Sequence, residues 1–233
     1  MNNQVKGLLY YYTQDLVRTS KIFWSILITM LVALSFLAYF LIDVGATEFY
    51  WAMPFATYTN VCIIAFQCVK KDIPFGLKMG AIRNNIFLSY FYFFLAYSLF
   101  MAVLGNTVQL VTEGMHHLLG VSNFIFSHPA MLLTDNWLTR TIIDTFFMFF
   151  LMALLFLVGL IFYRSGLIGG GLFLAAFLVV ALYGLFDGWL IDAFANILPD
   201  TSLLTFFILF LIGVVLYLIS YLFIKRMTVV QKV

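Results

Sequence analysis

Long uncharged runs constrain this chain more than any other feature. Ile22–Ile42, Phe49–Val69, Ile86–Gly105, Leu167–Phe186 and Thr201–Ile224 contain no Asp, Glu, Lys or Arg, and Thr141–Tyr163 contains only Asp144. At about 1.5 Å per residue, each run is long enough as a helix to cross a hydrocarbon core of about 30 Å. Only helices and closed barrels satisfy their backbone groups in lipid, and runs without period-two alternation are helical. The expected fold is therefore all-α: a polytopic membrane bundle of six transmembrane helices at 22–42, 49–69, 86–105, 141–163, 167–186 and 201–224. Residues 1–233 form one transmembrane domain.

Composition excludes the main alternatives. With 64% hydrophobic and 9% charged residues, the chain falls far from a soluble globule, whose charged share is about 25%. The net charge of +2 leaves no basic footprint for nucleic acid. Cys62 and Cys68 read as buried thiols, since six residues apart on a helix they face different ways.

The polar segments divide by sign. Asp43, Glu48, Glu113, Asp135, Asp187, Asp192 and Asp200 fall on one side of the proposed bundle with a single base, Arg140, and every other Lys and Arg falls on the opposite side. The positive-inside rule then places both termini and the loop 70–85 in the cytoplasm of a cell that carries this chain in its plasma membrane. Residues 1–21 are too polar to span. Val5, Leu8, Leu9, Tyr12 and Leu16 make an apolar stripe on a helix expected to lie in the interface plane, and the apolar run that follows is too long for a secretory signal. Pro54 is expected to kink span two. Val108, Val111, Met115 and Leu118 form a second stripe within 106–140, expected as interfacial or re-entrant outer material.

Four of the twelve Lys and Arg residues, Lys70, Lys71, Lys78 and Arg83, lie in the loop Lys70–Asn85. Asp72 is a candidate cap, Pro74 suits a first turn, and Phe75, Met79, Ile82 and Ile86 recur at helical spacing. A short amphipathic helix there suits docking of a soluble partner; the same residues also fit a plain positive-inside loop.

Other candidate sites are sparse. Asn60 and Gln67 are the amides of span two and face other helices or a substrate path. Arg140 stands four residues before Asp144, a spacing that allows an outer ion pair, and the same pair offers a proton or substrate site. Glu113-Gly-Met-His116-His117 departs from the zinc pattern HExxH, so its histidines read as solvated or interfacial. Gly166-Leu-Ile-Gly169-Gly170-Gly171 lacks the Lys and Ser or Thr of a phosphate loop, and the spacing of Gly166 and Gly170 suits close helix packing. No nucleophile with a base and no nucleotide motif occurs, so the chain is not expected to be an enzyme.

The run Phe75-Gly-Leu-Lys-Met-Gly80-Ala-Ile-Arg83-Asn-Asn-Ile-Phe87, with an N-terminal amphipathic helix and six spans, resembles the membrane subunits of type 2 ABC exporters. Gly80, Arg83, Asn84 and Phe87 stand where that family's coupling-helix loop carries Gly, Arg, a polar residue and an aromatic. The turn Phe162-Tyr-Arg164-Ser-Gly166 is similar to the tight turn between spans four and five of small bacterial permeases. The longer outer segment lies here between spans three and four, whereas many exporters carry it between spans five and six. The resemblance implies a permease whose short cytoplasmic coupling helix docks on a separate ABC ATPase through Phe75, Lys78, Met79, Gly80 and Arg83. It also implies a second permease subunit, identical or homologous, and ATP and magnesium on the ATPase, with no cofactor or metal on this chain. An aromatic interior with amides fits an amphipathic or apolar cargo such as a peptide, antibiotic or lipid. A proton-coupled carrier using Asp144 and Arg140, or a membrane scaffold, is the alternative.

Overall fold

Two long helices frame the protein in this computed structural model, which describes residues 2–42, 47–197 and 201–227. Helices α1 (Asn3–Phe40) and α4 (Arg83–Leu119) have 38 and 37 residues, or about 57 and 55 Å at 1.5 Å per residue, well beyond a hydrocarbon core. They run parallel and touch along their lengths. Asn85 bonds to Gln4, Tyr12 stacks on Tyr90 with centroids 4.5 Å apart, Trp24 lies by Gly105, and His116 Nε2 is 2.9 Å from Ser35 Oγ.

The separate interfacial helix expected over 1–21 is instead the first part of α1, which continues unbroken through Lys21. Neither Gly nor Pro interrupts the junction, so nothing in the backbone stops the helix. The apolar stripe is satisfied by protein: Val5 and Tyr12 are buried, and Leu8 meets Gly76. A stripe that suits a lipid surface suits a neighbouring helix equally well.

Helix α2 (Met53–Gln67) carries Pro54 in its first turn rather than bending there, because a first-turn proline gives up no intrahelical bond. Before it, Phe49–Trp51 (β1) pairs in parallel with Phe124–Phe126 (β2), with Tyr50 opposite Ile125. Leu31, Ala38 and Val121 pack with Phe124 and Phe126 to cap this end. Residues 106–119, expected as separate outer material, extend α4 to Gly120, where φ is 71°. Beyond β2 lies a 3-10 turn, Pro129–Leu132. At the opposite end α2 runs through a π-helical turn, Cys68–Asp72, into α3 (Ile73–Lys78).

Helix α5 (Trp137–Phe186), 50 residues long, is broken at Gly166, where φ is 70° and ψ −176°, a region open essentially to glycine alone. Past this joint Gly170 returns against Phe162: a Cβ there would lie 2.3 Å from the ring. The arms therefore fold sharply together. Helix α6 (Trp189–Ile197) leads to α7 (Leu203–Ile224), which packs along the first arm of α5. Phe206 sits with Ile143, Phe210 lies 5.1 Å from Phe146, Tyr217 lies 5.9 Å from Phe156, and Arg164 covers Phe223. These pairs advance together, so α7 and the first arm are parallel and the second arm runs back between their ends. Where they cross, a Cβ on Gly213 would come within 2.8 Å of Phe150 Cα, a distance only glycine tolerates.

Among the described residues, α1, α4, α5 and α7 are long and apolar enough to cross a membrane. The bundle is all-α apart from the β1–β2 pair, and its centre is aromatic: Tyr90, Phe94, Phe149, Phe156 and Tyr217 are fully buried. Asp43, Asp200 and Lys232, which entered the charge reading, lie outside the described residues.

Candidate functional site

Among the described residues, the basic end presents the short helix α3. Ile73, Pro74 and Gly76 are buried and hold it to the bundle, Gly76 against Leu8 and Ile86. Its other side is open: Phe75 is 41% and Met79 73% exposed, and Lys78, Gly80, Ile82 and Arg83 are exposed beside them. All five docking candidates are thus exposed. Two also have partners within the chain, since Phe75 stacks on Tyr11 at 4.6 Å and Arg83 Nη2 donates to the Met227 carbonyl at 2.9 Å. Gln4 secures the loop, donating to the Gly80 carbonyl and accepting from the Ile82 N–H and Asn85 Nδ2.

Asp72 occupies the N-cap position but makes no capping bond. The π-turn runs straight into α3, so the Ile73 N–H already bonds the Cys68 carbonyl and the cap is redundant. Burial, reinforced by the charge of Asp15 and opposed by Lys71, pushes the Asp72 carboxyl up to about 6. Lys71 Nζ pairs with Asp15 at 2.5 Å in the open, where such a pair contributes little.

Measured along α1, Lys71 lies level with Asp15 and the end of the loop with Gln4. Eleven residues separate those levels, so the loop drops about 17 Å along the helix axis. Residues 73–83 therefore stand clear of the apolar runs.

A second polar site lies within the bundle, around Asp144. Tyr58 Oη donates to Oδ1 at 2.6 Å, and Asn106 Nδ2 donates to Oδ2 at 2.7 Å. His128 Nε2 stands 3.2 Å from Oδ2, and its Nδ1 accepts the Ala130 N–H at 2.9 Å. With Nδ1 used as an acceptor, a neutral ring carries its proton on Nε2 and donates it to Asp144. The His128 and Asp144 side chains are 0% and 4% exposed. The carboxylate is thus buried, held by three donors from α2, α4 and the loop after β2.

The expected Arg140–Asp144 pair is not formed. Arg140 turns to Asp135, with Nε and Nη2 donating at 2.5 and 2.7 Å, and to Glu113, with Nη1 donating at 3.0 Å. A fork-shaped guanidinium gains more from two carboxylates at the bundle end than from one already saturated a turn deeper. Hydrogen bonding to Arg140 holds Asp135 below the usual carboxylate range.

The span-two amides are separated: Asn60 is buried and accepts from Tyr97 Oη at 2.7 Å, whereas Gln67 is exposed at the rim of a cavity of about 20 Å³ beside Tyr12 and Asp72. Of the two histidines expected to be solvated or interfacial, His117 is exposed and His116 is buried; His128 is buried as well. Cys68 is buried and Cys62 half-buried, both free. Among the described residues no group of His, Cys, Asp or Glu is arranged to hold a metal. Tyr58, Asn106 and His128 escaped the sequence reading because their partner lies far away in the chain. The only local signal was His128-Pro129 standing between apolar pieces.

No protein-family model matches the chain, and no curated protein or solved structure matches it significantly.

Proposed function

We propose that this chain is the membrane subunit of an ATP-driven exporter, with six spans and α3 as the coupling helix that docks on a separate ATPase. The observation that carries the reading is α3 itself, anchored by Ile73, Pro74 and Gly76 while Phe75, Met79 and Ile82 stay open. Exposed apolar side chains ringed by Lys71, Lys78 and Arg83, beyond the apolar runs, suit a protein groove better than lipid. The six-span count draws support from the reversal at Gly166 and the parallel course of α7, which a separate crossing by residues 167–186 would require. In this reading ATP and magnesium reside on the ATPase, a second permease completes the path, and α3 transmits closure of the ATPase to the bundle.

The test is purification of the tagged chain from its host membrane, beside a Met79→Glu variant. The expected result is a stoichiometric partner with Walker motifs that is lost with the variant. A chain that purifies without an ATPase defeats the proposal.

A second reading rests on Asp144, an acid buried in the bundle among Tyr58, Asn106 and His128. Such a group in a membrane bundle suits proton coupling. It requires transport by the chain alone in proteoliposomes and its loss in Asp144→Asn.

A further inference from the structure

Between α1 and α4, toward the capped end, lies a groove enclosing about 520 Å³, within the roughly 300–1,000 Å³ of sites that bury small molecules. Its walls are apolar, chiefly Leu31, Val32, Phe36, Val108, Val111 and Met115. Both walls belong to helices apolar and long enough to cross a membrane, and Val32, Phe36, Val111 and Met115 are exposed on its open side, an apolar face suited to hydrocarbon. Ser35, Thr107 and Thr112 also line it, but their hydroxyls donate to carbonyls of their own helices, and His116 is the imidazole among them. His116, 7% exposed, is backed by Phe124 and Phe126 and points Nε2 at Ser35 Oγ, 2.9 Å away.

In the arrangement in which Ser35 Oγ donates to the Leu31 carbonyl, 2.8 Å away, it accepts from a neutral His116 whose hydrogen is on Nε2. Nδ1 of the neutral ring is then an acceptor, and no described residue donates to it. No Lys or Arg lines the groove, and Glu113 stands one turn before His116 on α4, so an anionic headgroup has no partner there.

We propose that this groove holds an uncharged acyl lipid with a free hydroxyl, its chain along Leu31 and Val108 and its hydroxyl donating to His116 Nδ1. The orientation follows the fold, with His116 toward the capped end and the chain toward the middle of the bundle. The site does not depend on an ATPase partner.

The test uses the purified chain in phosphatidylcholine nanodiscs with two probes: a 1-monoacylglycerol carrying a diazirine in its acyl chain, and the same molecule with both hydroxyls methylated. The hydroxyl form is expected to label residues 28–39 and 107–121 severalfold more than the capped form, up to about tenfold for one hydrogen bond. His116→Phe keeps an aromatic ring but removes the acceptor, and should bring the two probes level. Val111→Trp fills the groove from an exposed position and should reduce labelling by both. Equal labelling by the two probes on the native chain overturns the proposal. So does labelling of 167–186 as strong as that of the groove, which would mark ordinary contact with surrounding lipid.

Discussion

Residues 141–163 and 167–186 belong to one helix and are both almost wholly apolar, yet their surroundings differ. Phe149, Met152 and Phe156 on the first arm are fully buried, whereas Phe177, Val179 and Phe186 on the second are 65%, 65% and 92% exposed. Hydrocarbon is as apolar as leucine, so the second arm pays nothing for lacking neighbours, and hydropathy alone cannot place an arm in the bundle. What draws the first arm inward is specific: Asp144 and its three donors, Gly159 against Val69, and aromatic rings interlocked with α4 and α7. Membership of the membrane and membership of the core are thus encoded by different residues.

The largest expected separation between the arms comes from their acids. Asp144→Leu strands the Tyr58 hydroxyl, the Asn106 amide and the His128 N–H in a buried site. Each orphaned donor costs about 1–3 kcal/mol, so the loss should reach about 3 kcal/mol or more. Asp187→Leu, at the exposed end of the second arm, should change stability by less than about 0.5 kcal/mol. Unfolding in mild detergent, followed by denaturant titration, measures both. Equal effects would mean that the Asp144 cluster does not hold the arms apart in character.

Aromatic truncation should separate them next. In lipid the solvent-transfer part of a large-to-small change largely vanishes and only the cavity part remains. At about 24 cal/mol per Å³, a cavity of about 100 Å³ costs about 2 kcal/mol. Phe156→Ala removes contacts with Tyr90, Phe94 and Tyr217 and should show that loss, while Phe177→Ala should be close to neutral. The same detergent unfolding checks the pair, and a costly Phe177→Ala would reveal a partner on the second arm.

The contrast also explains what was legible beforehand. Uncharged runs identified long helices because backbone hydrogen bonding in lipid leaves little choice. The polar pair Arg164–Ser165 marked a division between two apolar runs, whereas Gly166, expected to serve close helix packing with Gly170, is instead where the helix breaks. The continuity of α1 could not, because an amphipathic stripe does not name what it faces; Val5, Leu8 and Tyr12 face protein. The partners of Asp144 were equally hidden: spacing favoured Arg140, while the carboxylates that claim Arg140 and the donors that claim Asp144 come from separate elements. On α3 the apolar positions were readable, but the stacking of Phe75 on Tyr11 and the hold of Arg83 on Met227 depend on how α1 and α7 end.

The smallest effect concerns the joint between the arms. Gly166 sits at φ 70° and ψ −176°, so Gly166→Ala should cost about 1 kcal/mol or somewhat more in backbone strain. Gly171 lies within the helical second arm with nothing near the position of a Cβ, so Gly171→Ala should gain up to about 1 kcal/mol by restricting the unfolded chain. The two substitutions add the same methyl group five residues apart and should move the unfolding midpoint in opposite directions. Opposite signs would mean that the break is local to one residue and that each arm is an ordinary helix on its own side of it. A gain at both positions would mean that Gly166 is helical in the membrane, and that residues 137–186 cross it without turning back.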